Sequence, residues 1–275
     1  MLNEYYVKVP SAFFHESPSA SSSVTDELLF GTRIFSISDA AEPTEDEWLY
    51  CETLYGYRGF IRKKHIARKI GAQSLSVYTV TSAFCDVLFV PEYKYRPFMT
   101  LSRGSEVEKN TDFGSVSGFT DVSLSVKKFF VRSDSIRQST ELKQKQPESI
   151  KRKNIVDTAL SYLGTPYRWG GKSSSGIDCS GLCFQAYQMN GIGLWRDAVP
   201  DGNYVRQIRF DELREADLVY YKGHVVMYIG GGEYIHSSAT LGGVTVNSFD
   251  ENSAVYYEKL SHGIIMCARS VEFDA

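Results

Sequence analysis

The chain of 275 residues is long enough for two or three modest domains, and its 43% hydrophobic and 23% charged residues are typical of a globular protein with sizeable cores. The net charge is -3, and the basic clusters at 62–64 and 151–153 are short and separated. Composition therefore excludes the continuous basic stripe of a nucleic-acid-binding protein.

The first twenty residues lack an apolar segment behind basic residues, and the chain holds no apolar run of roughly 18 residues or more. We therefore expect no Sec-type signal peptide, no membrane-spanning helix and no membrane partner. The five cysteines are too few, in a chain of this length, to indicate a disulfide framework. The default location is the reducing cytoplasm, and the sequence leaves an unconventional export route open.

The N-terminal half is predicted to be all β. Over residues 1–70, short apolar runs alternate with turn residues in "YYVKV", "LLFGTRIFSI", "EWLYCET" and "YGYRGFI". Residues 71–140 show a similar pattern in "LSVYTV", "CDVLFVP", "SEVEKN" and "SVKKFFVRS", without close self-similarity to the first region. The polar segment 132–150 is expected to be an exposed connection.

Residues 141–275 are predicted to form an α+β domain. Apolar residues recur at helical spacing from Ile155 to Leu163, and Gly164 would stop that helix. A glycine-rich loop leads to a second helix, from about Cys179 to Gln188. Strand patterns follow in "DLVYY", "HVVMYIG", "EYIHSS", "VTVNSF" and "GIIMCARS".

Cys179 and Cys183 stand four positions apart, which raises three possibilities. A closed zinc site needs about four ligands, and no second cysteine pair or HxxxH pair accompanies them. A C-x3-C pair within one helix suits disulfide geometry poorly. As a nucleophile, Cys179 would begin a helix behind Asp178, where unpaired amides favour a thiolate and stabilise an oxyanion. Cys183, one turn further on, is then a small core residue.

A thiol nucleophile needs a base, and the chain has five histidines. His224 begins an apolar strand, with Val226 and Tyr228 on the same face. His236 lies near the end of the next strand, and the short glycine turn between the strands would place it against His224. There it would orient the first ring, as the third member of a triad does. The other three histidines lie in polar, turn-like contexts and are expected to be structural.

These segments, in this order, resemble the NlpC/P60 cysteine peptidases, papain-like enzymes that cleave peptidoglycan peptides. The resemblance covers about residues 150–275 and rests on "GTPYRWGGKSSSGIDCSG" and "READLVYYKGHVVMYIGGGEYIHSS". It implies a papain-like fold and a catalytic triad of Cys179, His224 and His236. It also implies that the hydroxyl of Tyr167 donates a hydrogen bond to the oxyanion.

The resemblance extends to the N-terminal half, since several members of the family carry bacterial SH3-like (SH3b) domains before the catalytic domain. The segment "EWLYCETLYGYRGFI" is similar to the end of one such domain, and the second region matches by position and β pattern. We therefore predict two small SH3b-like barrels, at 1–70 and 71–140, before an NlpC/P60 papain-like catalytic domain at 141–275.

Members with paired SH3b domains resemble γ-D-glutamyl-L-diamino acid endopeptidases, which act on peptides with a free N-terminal L-Ala. By this resemblance, Asp178 and Ser180 would bind the substrate amine and the D-Glu carboxylate, and Trp169 would line the same subsite. An acid and a tyrosine of the first SH3b domain would wall the site, and Glu27 and Tyr57 are the candidates.

The sequence thus predicts a monomeric cysteine endopeptidase that hydrolyses the γ-D-glutamyl to diamino acid bond of peptidoglycan stem peptides or muropeptides, with no metal and no cofactor. Two alternatives stay open: a cell-wall binding protein with a decayed catalytic domain, and an amidase or acyl transferase on another γ-linked amide. Taken singly, the site residues also have structural interpretations. Asp178 and Ser180 would be helix caps, Tyr167 and Trp169 core aromatics, and His236 a strand histidine.

Overall fold

The computed structural model describes residues 3–37, 47–68, 76–109, 116–124 and 127–273. The chain divides into two compact units, Met1–Leu142 and Lys143–Ala275. The predicted boundary between the two N-terminal domains, at 70/71, lies outside the described residues.

The first sheet of the N-terminal unit is antiparallel throughout. Its strands are β1 (Glu4–Val7), β2 (Ser11–His15), β3 (Val24–Leu29), β4 (Arg33–Ser36), β5 (Trp48–Thr53), β6 (Arg58–Arg62) and β7 (Ile66–Arg68). Along β4 and β5, buried residues alternate with half-buried ones, as expected for strands with one face on a core. Phe14, Leu28, Ile34 and Ile61 are fully buried in that core.

Seven further strands complete the N-terminal unit. They are β8 (Ser76–Val80), β9 (Phe84–Val87), β10 (Met99–Ser102), β11 (Glu106–Lys109), β12 (Phe119–Leu124), β13 (Lys127–Arg132) and β14 (Ile136–Gln138), and the short helix α1 (Ser139–Leu142) follows. Strands β9 and β10 pair with each other, and the others form a sheet in the order β13-β12-β11-β8-β14. The predicted exposed connection over 132–150 is wrong at β14, because Ile136 is buried and its strand pairs with β8.

The all-β character predicted for the N-terminal half is confirmed, but the predicted barrels are not closed within the described residues. The first sheet has the order β3-β2-β6-β5-β4-β1-β7, which leaves β3 and β7 as its edges. The second sheet has β13 and β14 as its edges. Closure requires pairing between the two edge strands of a sheet, and neither pair is hydrogen-bonded in the described part of the chain.

The C-terminal unit combines helices with an antiparallel sheet, as predicted. Its elements are α2 (Glu148–Leu160), β15 (Lys172–Ser173), β16 (Gly176–Ile177), α3 (Cys179–Gln188), β17 (Val205–Ile208), β18 (Leu218–Tyr221), β19 (His224–Gly230), β20 (Glu233–Ser238), β21 (Gly243–Ser248) and β22 (Met266–Ser270). The six-stranded sheet has the order β17-β22-β18-β19-β20-β21. Across the described ranges, we find no helix with the length and apolar content needed to cross a bilayer.

The two helices differ in how closely they follow the sequence pattern. Helix α2 ends at Leu160, one turn earlier than predicted, and Leu163 is 51% exposed instead of lying on the apolar face. Helix α3 has the predicted bounds, and its residues from Cys179 to Tyr187 are all buried. It packs against α2, β19 and β20. The core of the unit therefore fixes the position of the first residue of α3.

Candidate active site

Cys179 is the first residue of α3, and Asp178 is the N-cap of that helix. One carboxylate oxygen of Asp178 accepts a hydrogen bond of 2.6 Å from the backbone amide of Gly181, which is the usual role of an aspartate at this position. The side chain of Cys179 is 6% exposed, and the backbone N–H groups of Ser180 and Val225 hydrogen-bond its sulfur. The sulfur therefore lies where the N-terminus of α3 meets the start of β19.

Burial opposes the effect that the amides at the helix N-terminus have on the pKa of Cys179. Burial, and to a smaller extent the charge of Asp178, raises the pKa of the Cys179 thiol to about 11. The backbone hydrogen bonds from Val225 and Ser180 and the charge of Arg196 lower this pKa, but burial outweighs them. The Cys179 side chain is therefore a neutral thiol near pH 7.

His224 and His236 face each other across neighbouring strands. His224 is the first residue of β19, and His236 lies within β20. The Nε2 atom of His224 is 2.8 Å from the Nδ1 atom of His236, and the rings are T-shaped at an interplanar angle of 79°. Burial is the main cause that lowers the pKa of each histidine to about 4. Both rings are therefore neutral near pH 7, where His224 is able to accept a proton.

Asn247 extends this contact, and sequence reasoning missed it. Its Oδ1 atom lies 3.0 Å from Nε2 of His236, and its Nδ2 atom donates a hydrogen bond of 3.0 Å to the carbonyl of Val255. In the sheet, Thr245 is the register partner of His236, so Asn247 reaches the imidazole diagonally from two positions along β21. The alternation in "VTVNSF" places Thr245 and Asn247 on one face, but only the register shows which ring they meet.

Arg196 is a second residue that sequence reasoning missed. It is 1% exposed, and its Nη1 and Nη2 atoms lie 3.0 and 3.1 Å from the two carboxylate oxygens of Asp178. Its Nη1 also donates to the hydroxyl of Ser180 at 3.0 Å, and its Nη2 to the carbonyl of Gly171 at 3.3 Å. This bidentate arginine ties the glycine loop to the start of α3. Arg196 lies in the turn-rich segment "GLWRDAVP", and no local pattern there predicts which residue its side chain contacts.

Asp178 and Ser180, both predicted to bind substrate, are each 7% exposed and take part in internal contacts. The second carboxylate oxygen of Asp178 accepts a hydrogen bond of 2.8 Å from the amide of Gly170. The hydroxyl of Ser180 donates to Asp178 at 3.3 Å. The two side chains therefore hold the glycine loop and the helix start together.

Tyr167 and Trp169 lie in the glycine loop. The amide of Tyr167 donates to the carbonyl of Gly242 at 3.0 Å, and its side chain is half-buried. Burial, followed by the charges of Cys179 and Asp178, raises the pKa of Tyr167 to about 12. Its hydroxyl is therefore protonated at neutral pH and is able to donate a hydrogen bond. It lies close enough to Cys179 for a charge on that sulfur to raise its pKa. Trp169 is 68% exposed.

Glu27 and Tyr57 belong to the N-terminal unit, and both make contacts there. Glu27 is 1% exposed and accepts a hydrogen bond of 2.6 Å from the hydroxyl of Ser11. The hydroxyl of Tyr57 donates to the carbonyl of Thr25 at 3.3 Å. These hydrogen bonds join residues within and beside the first sheet.

The metal and disulfide alternatives for the two neighbouring cysteines gain no support. All five cysteines are free thiols, and Cys183 is 1% exposed in the core, as predicted. In the part of the chain that the structure describes, no group of three or more His, Cys, Asp or Glu side chains is arranged to hold a metal ion.

Known proteins are similar to this chain in sequence and in fold. Residues 164–263 match the NlpC/P60 family. Dipeptidyl-peptidase 6 of Lysinibacillus sphaericus is 34% identical over 257 residues, which cover 91% of this chain and 93% of that protein. The γ-D-glutamyl-L-lysine dipeptidyl-peptidase of Bacillus subtilis is 32% identical over 133 residues, or 46% of this chain and 44% of that protein.

The fold comparison agrees with the sequence comparison. The crystal structure of an NlpC/P60 family protein from Bacillus cereus superposes with a TM-score of 0.75, and covers 97% of this chain and 98% of its own. At 19% identity, that similarity shows a shared fold. The full-length match to the Lysinibacillus protein shows the family. The chain therefore belongs to the NlpC/P60 family and is a cysteine peptidase.

Proposed function

We propose that this peptidase, whose substrates derive from peptidoglycan, hydrolyses the γ-D-glutamyl to diamino acid bond of stem peptides through Cys179, His224 and His236. The observation that carries the proposal is the 2.8 Å contact between the two histidines beside a cysteine at a helix N-terminus. The name of the Bacillus subtilis relative specifies a γ-D-glutamyl-L-lysine linkage, which supports this choice of bond.

In the proposed reaction, the sulfur of Cys179 attacks the γ-carbonyl carbon of D-Glu. His224 takes the thiol proton as the C–S bond forms, because thiol and imidazole are both neutral at rest. The imidazolium then protonates the leaving amine of the diamino acid as the C–N bond breaks. Water, deprotonated by His224, attacks the thioester, which releases the D-Glu carboxylate and the thiol. His236 orients His224 throughout.

Two donors are proposed for the oxyanion that forms during each attack. They are the backbone amide of Cys179, at the N-terminus of α3, and the hydroxyl of Tyr167. The raised pKa of Tyr167 supports this role, since its proton stays on the oxygen at neutral pH. A preorganised donor of this kind contributes about 10²- to 10³-fold to a rate.

The substrate contacts proposed from the sequence complete the site. Asp178 and Ser180 would bind the free amine of L-Ala and the D-Glu carboxylate, beside Trp169. We assign the N-terminal unit to two SH3b-like domains, at 1–70 and 71–140, before a papain-like catalytic domain at 141–275. The enzyme is proposed to be monomeric and cytoplasmic.

A cleavage assay with the full chain tests this proposal. The substrate is L-Ala-γ-D-Glu-diaminopimelate, and mass spectrometry identifies the products. We expect the wild-type protein to release the L-Ala-γ-D-Glu dipeptide and Cys179→Ala to release none, while Cys183→Ala, the matched loss of a buried thiol one turn along α3, stays active. Cleavage by Cys179→Ala would overturn the proposal. Release of ammonia or transfer to an added amine would instead identify an amidase or an acyl transferase.

Acetylating the N-terminal L-Ala of the same peptide tests the substrate site. A site that binds the free amine should cleave the acetylated peptide far more slowly. Equal rates for the two peptides would contradict the proposed contact with Asp178. Binding of intact muropeptides without turnover would favour the cell-wall binding alternative.

A further inference from the structure

We infer that Asn247 is a positioning residue that fixes the tautomers of both histidines and thereby leaves Nδ1 of His224 as the base for the Cys179 thiol. The inference rests on the proposed function, because it concerns how the base of that same site is held. It follows from the hydrogen-bonding capacity of each atom in a chain that runs from Val255 to His224.

The contact with Val255 fixes the orientation of the Asn247 amide. The carbonyl oxygen of Val255 has no hydrogen to donate, and it already accepts the amide of Ser248 at 3.0 Å. The group of Asn247 that faces this oxygen at 3.0 Å must therefore be the NH₂ group. Consequently the Oδ1 atom of Asn247 faces His236.

The orientation of the Asn247 amide determines which nitrogen of each histidine carries a hydrogen. Because Oδ1 of Asn247 only accepts, the Nε2 atom of His236 at 3.0 Å must carry a hydrogen. In a neutral His236, the Nδ1 atom is then a bare acceptor. It faces Nε2 of His224 at 2.8 Å, so that Nε2 carries a hydrogen as well. The remaining nitrogen of a neutral His224, Nδ1, holds a lone pair.

The opposite tautomer of His236 would leave His224 unable to act as a base. If Nδ1 of His236 carried the hydrogen, Nε2 of His224 would have to accept it, and Nδ1 of the neutral His224 would be protonated. The ring of His224 could then not take a proton from Cys179. The two residues are close, because the backbone amide of Val225, the residue after His224, hydrogen-bonds the sulfur of Cys179. The amide side chain of Asn247 thus determines whether the site has a base, although His236 and His224 lie between it and the thiol.

The surroundings of the two rings are compatible with neutral forms. His224 is faced by His236 and by the charge of Lys259, which both lower its pKa, in addition to burial. His236 is faced by the rings of Tyr234 and Tyr257, with centroids 5.4 and 6.2 Å away. Burial dominates for both histidines and keeps both rings uncharged near pH 7, which the chain of tautomers requires.

The wild-type protein alone tests the inference by ¹⁵N NMR of the imidazole rings at pH 7. We expect both His224 and His236 as neutral Nε2–H tautomers. A neutral His236 with its hydrogen on Nδ1 would overturn the inference. This measurement is independent of turnover, so it still decides if the cleavage assay refutes the proposed function.

A pair of variants tests the kinetic consequence. Asn247→Ala removes the amide, while Asn252→Ala, the matched control, removes an amide that donates to Asp250 in the turn after β21. We expect Asn247→Ala to lower kcat by about tenfold or more with KM nearly unchanged, and to mix the tautomers of His236. Asn252→Ala should change neither. An unchanged kcat in Asn247→Ala would overturn the inference, and so would a lower kcat with the His236 tautomer intact. If Asn247→Ala does not fold, the ¹⁵N NMR spectrum of the wild-type protein decides.

Discussion

The candidate site contains two groups of residues, one charged and one neutral. The charged group is Asp178 and Arg196, a buried bidentate ion pair at the start of α3. The oxygens of Asp178 also accept hydrogen bonds from the amides of Gly170 and Gly181. Because the charges neutralise each other and their hydrogen bonds are internal, this group holds the loop and the helix rigidly as long as both partners are present.

The neutral group is His224, His236 and Asn247, which are joined by hydrogen bonds in series. Burial lowers the pKa of both histidines, so no net charge holds this group together near pH 7. Its proposed function depends instead on which nitrogen of each imidazole carries a hydrogen. The charged group is therefore expected to respond to loss of a partner mainly in stability, and the neutral group mainly in pH dependence and kcat.

The largest effect is expected from breaking the charged group. Arg196→Met leaves Asp178 buried without its cation and should lower the free energy of unfolding by about 3–5 kcal/mol, measured by urea denaturation. The matched control is Arg209→Met, which breaks a bidentate pair with Asp211 whose side chains are 77% and 65% exposed. Solvent screening should make that loss much smaller. Equal losses in the two variants would contradict the role given to the buried pair.

A smaller loss is expected from separating the glycine loop and α3. In Gly181→Ala, the new Cβ would lie 2.2 Å from the carbonyl oxygen of Gly171 and 2.9 Å from a carboxylate oxygen of Asp178. The loop must shift, at a cost of about 1–3 kcal/mol in unfolding free energy and with slower cleavage. Gly202→Ala is the control, since its Cβ would meet nothing within 4 Å. Unchanged stability and activity in Gly181→Ala would show that this close approach is unimportant.

The neutral group should make stability depend on acid pH. Each histidine has its pKa lowered from the ordinary value of 6.5 to about 4, so the unfolded chain binds protons more tightly than the folded protein. The corresponding stability is present above about pH 6.5 and is lost as the pH falls toward about 4. We expect the free energy of unfolding to fall by about 1–2 kcal/mol per histidine between pH 7 and pH 5. In His236→Gln, urea denaturation at these two values should show a smaller acid loss than in the wild type; an equal loss would contradict neutral burial of His236.

Local sequence patterns predicted the parts of the site that depend on one element or one hairpin. The start of α3 at Cys179 follows from a cap residue before an apolar helix. The contact of His224 with His236 follows from their positions on two strands joined by a short turn. Within the C-terminal sheet, β17 was the strand that the pattern did not reveal, since the two central residues of "VRQI" are polar and exposed.

The remaining features depend on packing or register, which local patterns do not encode. Arg196 becomes buried only because its loop folds onto Asp178. Asn247 meets His236 only because β21 pairs with β20 in one particular register. The raised pKa of Cys179 reflects burial by the whole core, which outweighs the backbone amides that the sequence correctly indicated. Open sheet edges in the N-terminal unit likewise depend on strand pairing that alternation alone cannot predict.

The proposed role of Cys179 as the nucleophile is tested most directly by detecting the acyl-enzyme during turnover. The full chain is mixed with L-Ala-γ-D-Glu-diaminopimelate, quenched rapidly in acid, and analysed by intact mass and peptide mapping. We expect a transient L-Ala-γ-D-Glu thioester on Cys179, and neither adduct nor cleavage in Cys179→Ala. An acyl group on another residue, or turnover by Cys179→Ala at the wild-type rate, would contradict this role of Cys179.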